Sequence, residues 1–201
     1  MKIPYLPYDA LRPIAAEFLR THNGRNSIPV PIERIIDNRF EIDIVPTPGL
    51  HEHFDIDSFI TSDFKAIHVD SFVHQSRPTR YRFSLAHELS HFLVHQDVFK
   101  QLSFSSTAQW KAVVKSIPPK EYGYLEFHAN SLAGLILVPP DELAGRFEQA
   151  QKMVEDADIS VTDNWDLALP YIEEFIANIF EVSPAVTHRR LEFDRLIPTD
   201  R

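Results

Sequence analysis

The chain has no cysteine among its 201 residues. Disulfides and thiolate metal sites are therefore excluded, and a metal ion could be held only by His, Asp or Glu. No stretch approaches the roughly 18 consecutive apolar residues that a membrane-spanning helix needs. The first residues, MKIPYLPYDALRP, contain no apolar run of signal-peptide length. A cytoplasmic protein with no membrane partner is the expectation. There is no internal repeat and no low-complexity tract. Positive charge is in short supply, with 20 Lys and Arg against 29 Asp and Glu, a net charge of −9. Such a body repels nucleic-acid phosphates, and direct DNA binding is not expected. The imbalance is local. Residues 141–181 hold eleven acids and two bases, while the remainder is neutral with 18 of each. This acidic segment is a candidate docking surface for a basic partner.

What remains is the composition of a folded protein, 44% hydrophobic and 24% charged. The length suits one domain or one domain with a small appendage. Leu11, Ile14, Ala15, Phe18 and Leu19 predict an amphipathic helix over residues 9–21, ended by Asn23-Gly24. Pro31 opens a short helix carrying Ile32, Ile35 and Ile36. Alternation at Phe40, Ile42 and Ile44 predicts a strand, and residues 46–55 read as a loop. Strands are expected at about 56–61 and 64–70, the second as a sheet edge able to align an extended peptide. A loop over 71–79 leads to a helix at about 79–96. Residues 99–120 are weakly patterned. Further helices are expected at 121–137, 141–157, 171–180 and 184–196, the last with Ser183 as N-cap and Pro184 at the first helical position. Helices, then a small mixed sheet, then helices make an α+β fold. The expected division is a core over residues 1–140 and a helical extension over 141–201 packed on it.

The chemistry-bearing motif is His87-Glu88-Leu89-Ser90-His91. On a helix, residues four apart differ by about 40° around the axis and about 6 Å along it, so both imidazoles can meet one metal ion. Glu88, beside the first ligand, can lean over an open coordination position and act as general base. Zinc is the ion this pattern suits. This composition would yield such a triplet by chance only about 0.03 times.

A catalytic zinc site needs a third protein ligand, and three residues compete for the role. His95 continues the series, but on a straight helix it lies about 12 Å from His87 along the axis. Asp97 stands six residues after His91, as in the metzincin pattern, yet Val94 occupies the position where that pattern turns on glycine. Glu126 lies on the next strong helix, which can pack beside the first. Local reasoning prefers Glu126 to Asp97.

Two stretches carry a family resemblance. One is Arg80 to His91, RYRFSLAHELSH, with His95 following. The other is Glu126 to Pro139, EFHANSLAGLILVP, with Glu126 three residues before Ala129-Asn130. They resemble the ImmA/IrrE family of metallo-endopeptidases. The likeness runs over about residues 25–197, including the tail Phe180 to Pro184 with Arg190-Leu191. Ser90, His128 and Leu132 depart from the commoner glycine, acid and phenylalanine. The resemblance implies Glu126 as third zinc ligand, Glu88 as catalytic residue, a gluzincin-like fold, and a helix-turn-helix repressor as protein substrate. The rival expectation is a non-catalytic regulatory or toxin–antitoxin-type module that binds a partner and keeps zinc for structure.

Other features carry weaker signals. Asn130, one turn after Glu126, could orient it. His128 is about 200° around the helix from Glu126 and is expected to point away from the metal. Tyr81, Arg82, Tyr122 and Tyr124 lie close in sequence to the motifs, and any one could stabilise an oxyanion. His51, His53, His68 and His74 lack ligand spacing. The last two helices resemble a helix-turn-helix pair with Arg189, Arg190 and Arg195 on the second; a packed helical hairpin is the preferred reading.

Overall fold

Proline sets the helix starts. Pro78, Pro119, Pro140 and Pro184 each occupy the first turn of a helix, where the missing N–H costs nothing and the fixed φ suits the helix. The computed structural model describes residues 3–104, 106–157, 161 and 164–198. In chain order the elements are α1 (Tyr8–His22), α2 (Ile32–Arg39), β1 (Asp43–Thr47), α3 (Leu50–Phe54), β2 (Ser58–Ile60), β3 (Ala66–Asp70), α4 (Ser71–Ser76), α5 (Pro78–Val94), α6 (Gln96–Phe99), α7 (Thr107–Ser116), α8 (Pro119–Leu137), α9 (Pro140–Glu155), α10 (Trp165–Phe180) and α11 (Pro184–Phe193). The fold is α+β, mostly helical with a three-stranded mixed sheet. No helix among the described residues is long and apolar enough to cross a membrane.

The sheet order is β1-β3-β2, with β1 parallel and β2 antiparallel to β3. The strand expected at 64–70 is therefore the centre of the sheet and not its edge. Hydrogen-bonded neighbours occupy both its sides, and β2 borders α5 instead. The first strand lies three residues later than its alternation suggested. Phe40 closes α2 and Glu41 takes a left-handed φ of 52°, so pairing begins only at Asp43. Pro46 falls inside this strand, which an edge position permits. Two expected loops contain short helices. One is α3; the other is α4, whose first turn is capped by the Asp70 carboxylate accepting from Phe72 and Val73 N–H. The weakly patterned stretch 99–120 contains α7. Helix α10 starts at Trp165, upstream of Pro170, a proline that hid its first turn from sequence reading.

Helix α8 is the central element. Every residue from Ser131 to Leu137 on it is buried, the pattern of a helix enclosed on all sides. It packs against α5, α1 and α11, while α10 lies against α9 and α11. Side chains of α9, α10 and α11, among them Leu143, Phe147, Ile172 and Leu191, join the same buried cluster as Leu11, Ile67, Leu85 and Leu132. In the final helix Arg190 is buried and paired with Asp194. It cannot serve the DNA-contacting face that a helix-turn-helix reading would require. Residues 158–160 and 162–163 of the acidic segment lie outside the described residues.

The central position of α8 sets a stability contrast. Leu135→Ala, at a fully buried site, is expected to cost about 2–5 kcal/mol. Leu167→Ala, at a site 53% exposed, should stay within about 0.5 kcal/mol of wild type. Urea unfolding monitored by circular dichroism checks both.

Candidate metal centre

Helices α5 and α8 lie side by side and bring three side chains to one point. His87 and His91 project from one face of α5, and Glu126 comes from α8. The two Nε2 atoms are 3.2 Å apart. Glu126 reaches His87 Nε2 at 3.5 Å and His91 Nε2 at 3.9 Å. One donor atom from each lies within 4.8 Å of the other two, the one such His, Asp and Glu triad found among the described residues. Two atoms each about 2.0–2.1 Å from a tetrahedral ion stand roughly 3.3 Å apart. The triad fits a metal ion by spacing and by donor type. Asp97 does not join it: its side chain is 95% exposed and pairs with Lys100.

Each imidazole has a partner behind it. Asn130 Oδ1 lies 3.0 Å from His87 Nδ1. An amide oxygen accepts only, so Nδ1 carries the proton and Nε2 offers its lone pair to the metal point. Asn130, which could have oriented Glu126, lies one turn further along α8, against His87. His95 sits behind His91, Nδ1 to Nδ1 at 2.9 Å. His128 Nδ1 lies 3.1 Å from His95 Nε2, and Leu6 N–H donates to His128 Nε2 over 2.8 Å. His128 indeed faces away from the triad, but into a row of rings that ends on His91. Burial pushes His91 well below the usual histidine range, His95 to about 3, and His128 down as well. The row is therefore neutral at pH 7, the form that ligates metals.

That row has a polarity. The Leu6 N–H can only donate, so the His128 proton sits on Nδ1 and is donated to His95. His95 in turn donates to His91 Nδ1, which leaves the proton of a neutral His91 on Nε2. A metal ion needs the lone pair at that atom. An ion held at that atom would require one proton to leave or one link of the row to open.

Glu88 lines the same cleft as the triad and is held from the β2 side. Ser58 Oγ–H donates to Oε1 at 2.6 Å and Ile60 N–H to Oε2 at 2.9 Å. Burial pushes its carboxyl above the usual range, with the nearby Glu126 adding to the shift and His87, Ser58 and Ile60 opposing it. This cleft, of about 320 Å³, has His87, Glu88, His91, Glu126, Tyr122 and Ser58 on its walls. Tyr122 hydrogen-bonds Glu126, and burial holds its phenol protonated. Of the four oxyanion candidates only Tyr122 reaches the cleft. Tyr81 donates to Glu33, Arg82 to the carbonyls of Val30 and Glu181, and Tyr124 stacks near Tyr5 and His128. His68 stacks on Phe59, His74 lies edge-on to Tyr81, His51 pairs with Asp57, and His53 packs under Gly49. Ser58 carried no sequence signal, since its contact spans 30 residues and depends on the placement of β2.

Comparison with known proteins follows this geometry. Residues 38–192 match the family model Peptidase_M78, the IrrE N-terminal-like domain. No curated protein sequence matches the chain. The fold is similar to that of a Mycobacterium tuberculosis transcriptional regulator, with a TM-score of 0.54 and 17% identity over 90% of this chain and 46% of that one. At that identity the likeness concerns the fold alone, and this chain spans about half the length of that protein. The family match includes both the His87–His91 motif and the Glu126–Asn130 motif, and the chain belongs to the Peptidase_M78 family.

Proposed function

We propose that this chain is a zinc-dependent endopeptidase with a gluzincin-like site. Its proposed substrate is a helix-turn-helix transcriptional repressor or a similar regulatory protein. The observation that carries the reading is the carboxylate of Glu88, held at the wall of an open cleft beside a His87, His91 and Glu126 triad. Three protein donors facing a cleft are the pattern of a catalytic zinc site, whereas structural sites are closed by four. When bound, zinc would lower the pKa of water to about 7 and polarise the scissile carbonyl.

The protein's own groups supply the rest. Glu88 accepts the proton of the attacking water and returns it to the departing amine nitrogen. Ser58 and the Ile60 N–H fix its orientation for both transfers. Asn130 and His95 hold the two imidazoles, and Tyr122 holds Glu126. The family supports the peptidase chemistry. The repressor as substrate rests on the resemblance to ImmA/IrrE peptidases, and is in keeping with a neighbour in fold that is a transcriptional regulator. We assign the catalytic core to residues 1–140, with residues 141–201 as an extension packed on it, inside the cytoplasm.

Metal content tests the triad. The purified chain is expected to hold one zinc ion, measured by elemental analysis after dialysis. His87→Ala and His91→Ala lose it, Glu126→Ala weakens it, and Asp97→Ala leaves it unchanged. Asn130→Ala should reduce zinc affinity about 10–100-fold. Loss of zinc on Asp97→Ala alone would remove Glu126 from the set.

Glu88→Gln tests the chemistry. It should retain zinc and fold while cleavage of the proposed repressor substrate falls by about 10²–10⁴-fold. Full biological activity of that variant would favour a partner-binding module that uses zinc for structure alone.

A further inference from the structure

A second cavity opens beside the metal cleft. It holds about 290 Å³, and its walls include Tyr8, Asn130, Gly134, Arg189 and Arg190. Phe83 and Asn130 belong to both cavities, so the two spaces meet at the residue that holds His87. Neither the triad nor Glu88 enters it.

Arg190 is the feature that needs a reason. It is 2% exposed, and its side chain runs over Gly134, where a Cβ would stand 3.1 Å from Arg190 Cδ. Nη2 pairs with Asp194. Nε and Nη1 have no hydrogen-bond partner among the described residues, and neither does the Tyr8 hydroxyl. Buried donors on a cation almost always meet an acceptor, because hydration is lost and must be replaced. Asp194 does not suffice, since Arg12 shares it. One carboxylate thus faces two guanidiniums, with Arg189 a third on the same wall, in a chain whose net charge is −9. Burial pushes the Tyr8 phenol up to about 12, so its hydroxyl remains a donor.

We propose that this cavity is an oxyanion site, binding a carboxylate or phosphate group through a free N–H of Arg190 (Nε or Nη1), the Tyr8 hydroxyl and Arg189. Nε and Nη1 lie on different edges of the guanidinium, and Nη2 between them is engaged by Asp194, so either free N–H offers a single charge-assisted hydrogen bond to an oxygen of such a group. The volume lies at the lower edge of the range for ligand pockets and has room for a small anion or one acidic side chain. Two sources offer the chemistry: a free anion in solution, or an acidic side chain of a peptide lying in the adjoining cleft.

Isothermal titration calorimetry distinguishes them. The full chain is titrated with inorganic phosphate and with acetate, both zinc-loaded and as His91→Ala, in which the metal can no longer capture the anion. Circular dichroism confirms the fold of each variant. A second pair of titrants is an acetylated, amidated Gly-Glu-Gly tripeptide and its Gly-Gln-Gly counterpart. Saturable binding of phosphate or acetate to both chains, weakened about tenfold or more by Arg190→Met and several-fold by Tyr8→Phe and Arg189→Gln, supports a free-anion site. Preference for the Glu peptide, lost in the same variants while the free anions are silent, supports a peptide source. If Arg190→Met fails to fold, Tyr8→Phe and Arg189→Gln decide, because both preserve the packing. Binding confined to the zinc-loaded chain, binding unchanged in the Tyr8 and Arg189 variants, or no binding by any titrant overturns the proposal. None of these readouts depends on peptidase activity.

Discussion

The contact between α5 and α8 is the constraint from which the site follows. Glu126, Ala129, Ala133 and Leu137 recur at helical spacing on α8, and Ala129 and Ala133 are fully buried. Small side chains beside a ligand leave room for a second helix to come close. Moving α8 by one residue would rotate Glu126 by about 100° away from the histidines. Side-chain size opposes that shift, because a move by one residue would put larger groups where Ala129 and Gly134 now pack closely. Close packing thus sets the register, and the register sets the geometry of the ligands.

Polar groups buried around this contact are numerous and mostly satisfied. Glu88, His91, His95 and His128 all lie inside, each with hydrogen-bond partners. Such networks in a low-dielectric interior hold rings in one orientation, since an unpaired member is costly. The row from His91 to Leu6 extends the support from the metal point to the first described residues. Its hydrogen-bond polarity runs from the Leu6 N–H to His91, so the N-terminal segment sets the tautomers of all three rings.

The C-terminal helices complete the enclosure. Arg190 threads from α11 past Gly134, and Asp194 ties α11 to Arg12 of α1. These contacts make α11 a wall of the cavity beside the metal cleft. Arg190 is turned inward on this helix, so it is withdrawn from any face that could read DNA. The acidic segment that precedes α11 keeps exposed carboxylates such as Glu148 and Asp156 at the surface.

The sequence by itself determined the long helices, the α+β class and the metal-facing pair His87 and His91. These rest on local physics: a 3.6-residue period, proline at helix starts, and the four-residue spacing that places two rings on one face. Glu126 was legible only as one of several candidates until the family resemblance singled it out. Short elements without a clear start signal or apolar stripe escaped, as with α3, α4 and α7, whereas α2 and α11, of similar length, were marked by a proline at their start. Tertiary structure alone decided that β3 lies at the centre of the sheet, that Asn130 serves His87, that Ser58 holds Glu88, and that His128 backs His95. Each of these contacts joins residues far apart in the chain, and neither spacing nor propensity encodes which distant groups will meet. Packing of the apolar core decides that, by fixing where each helix and strand comes to rest.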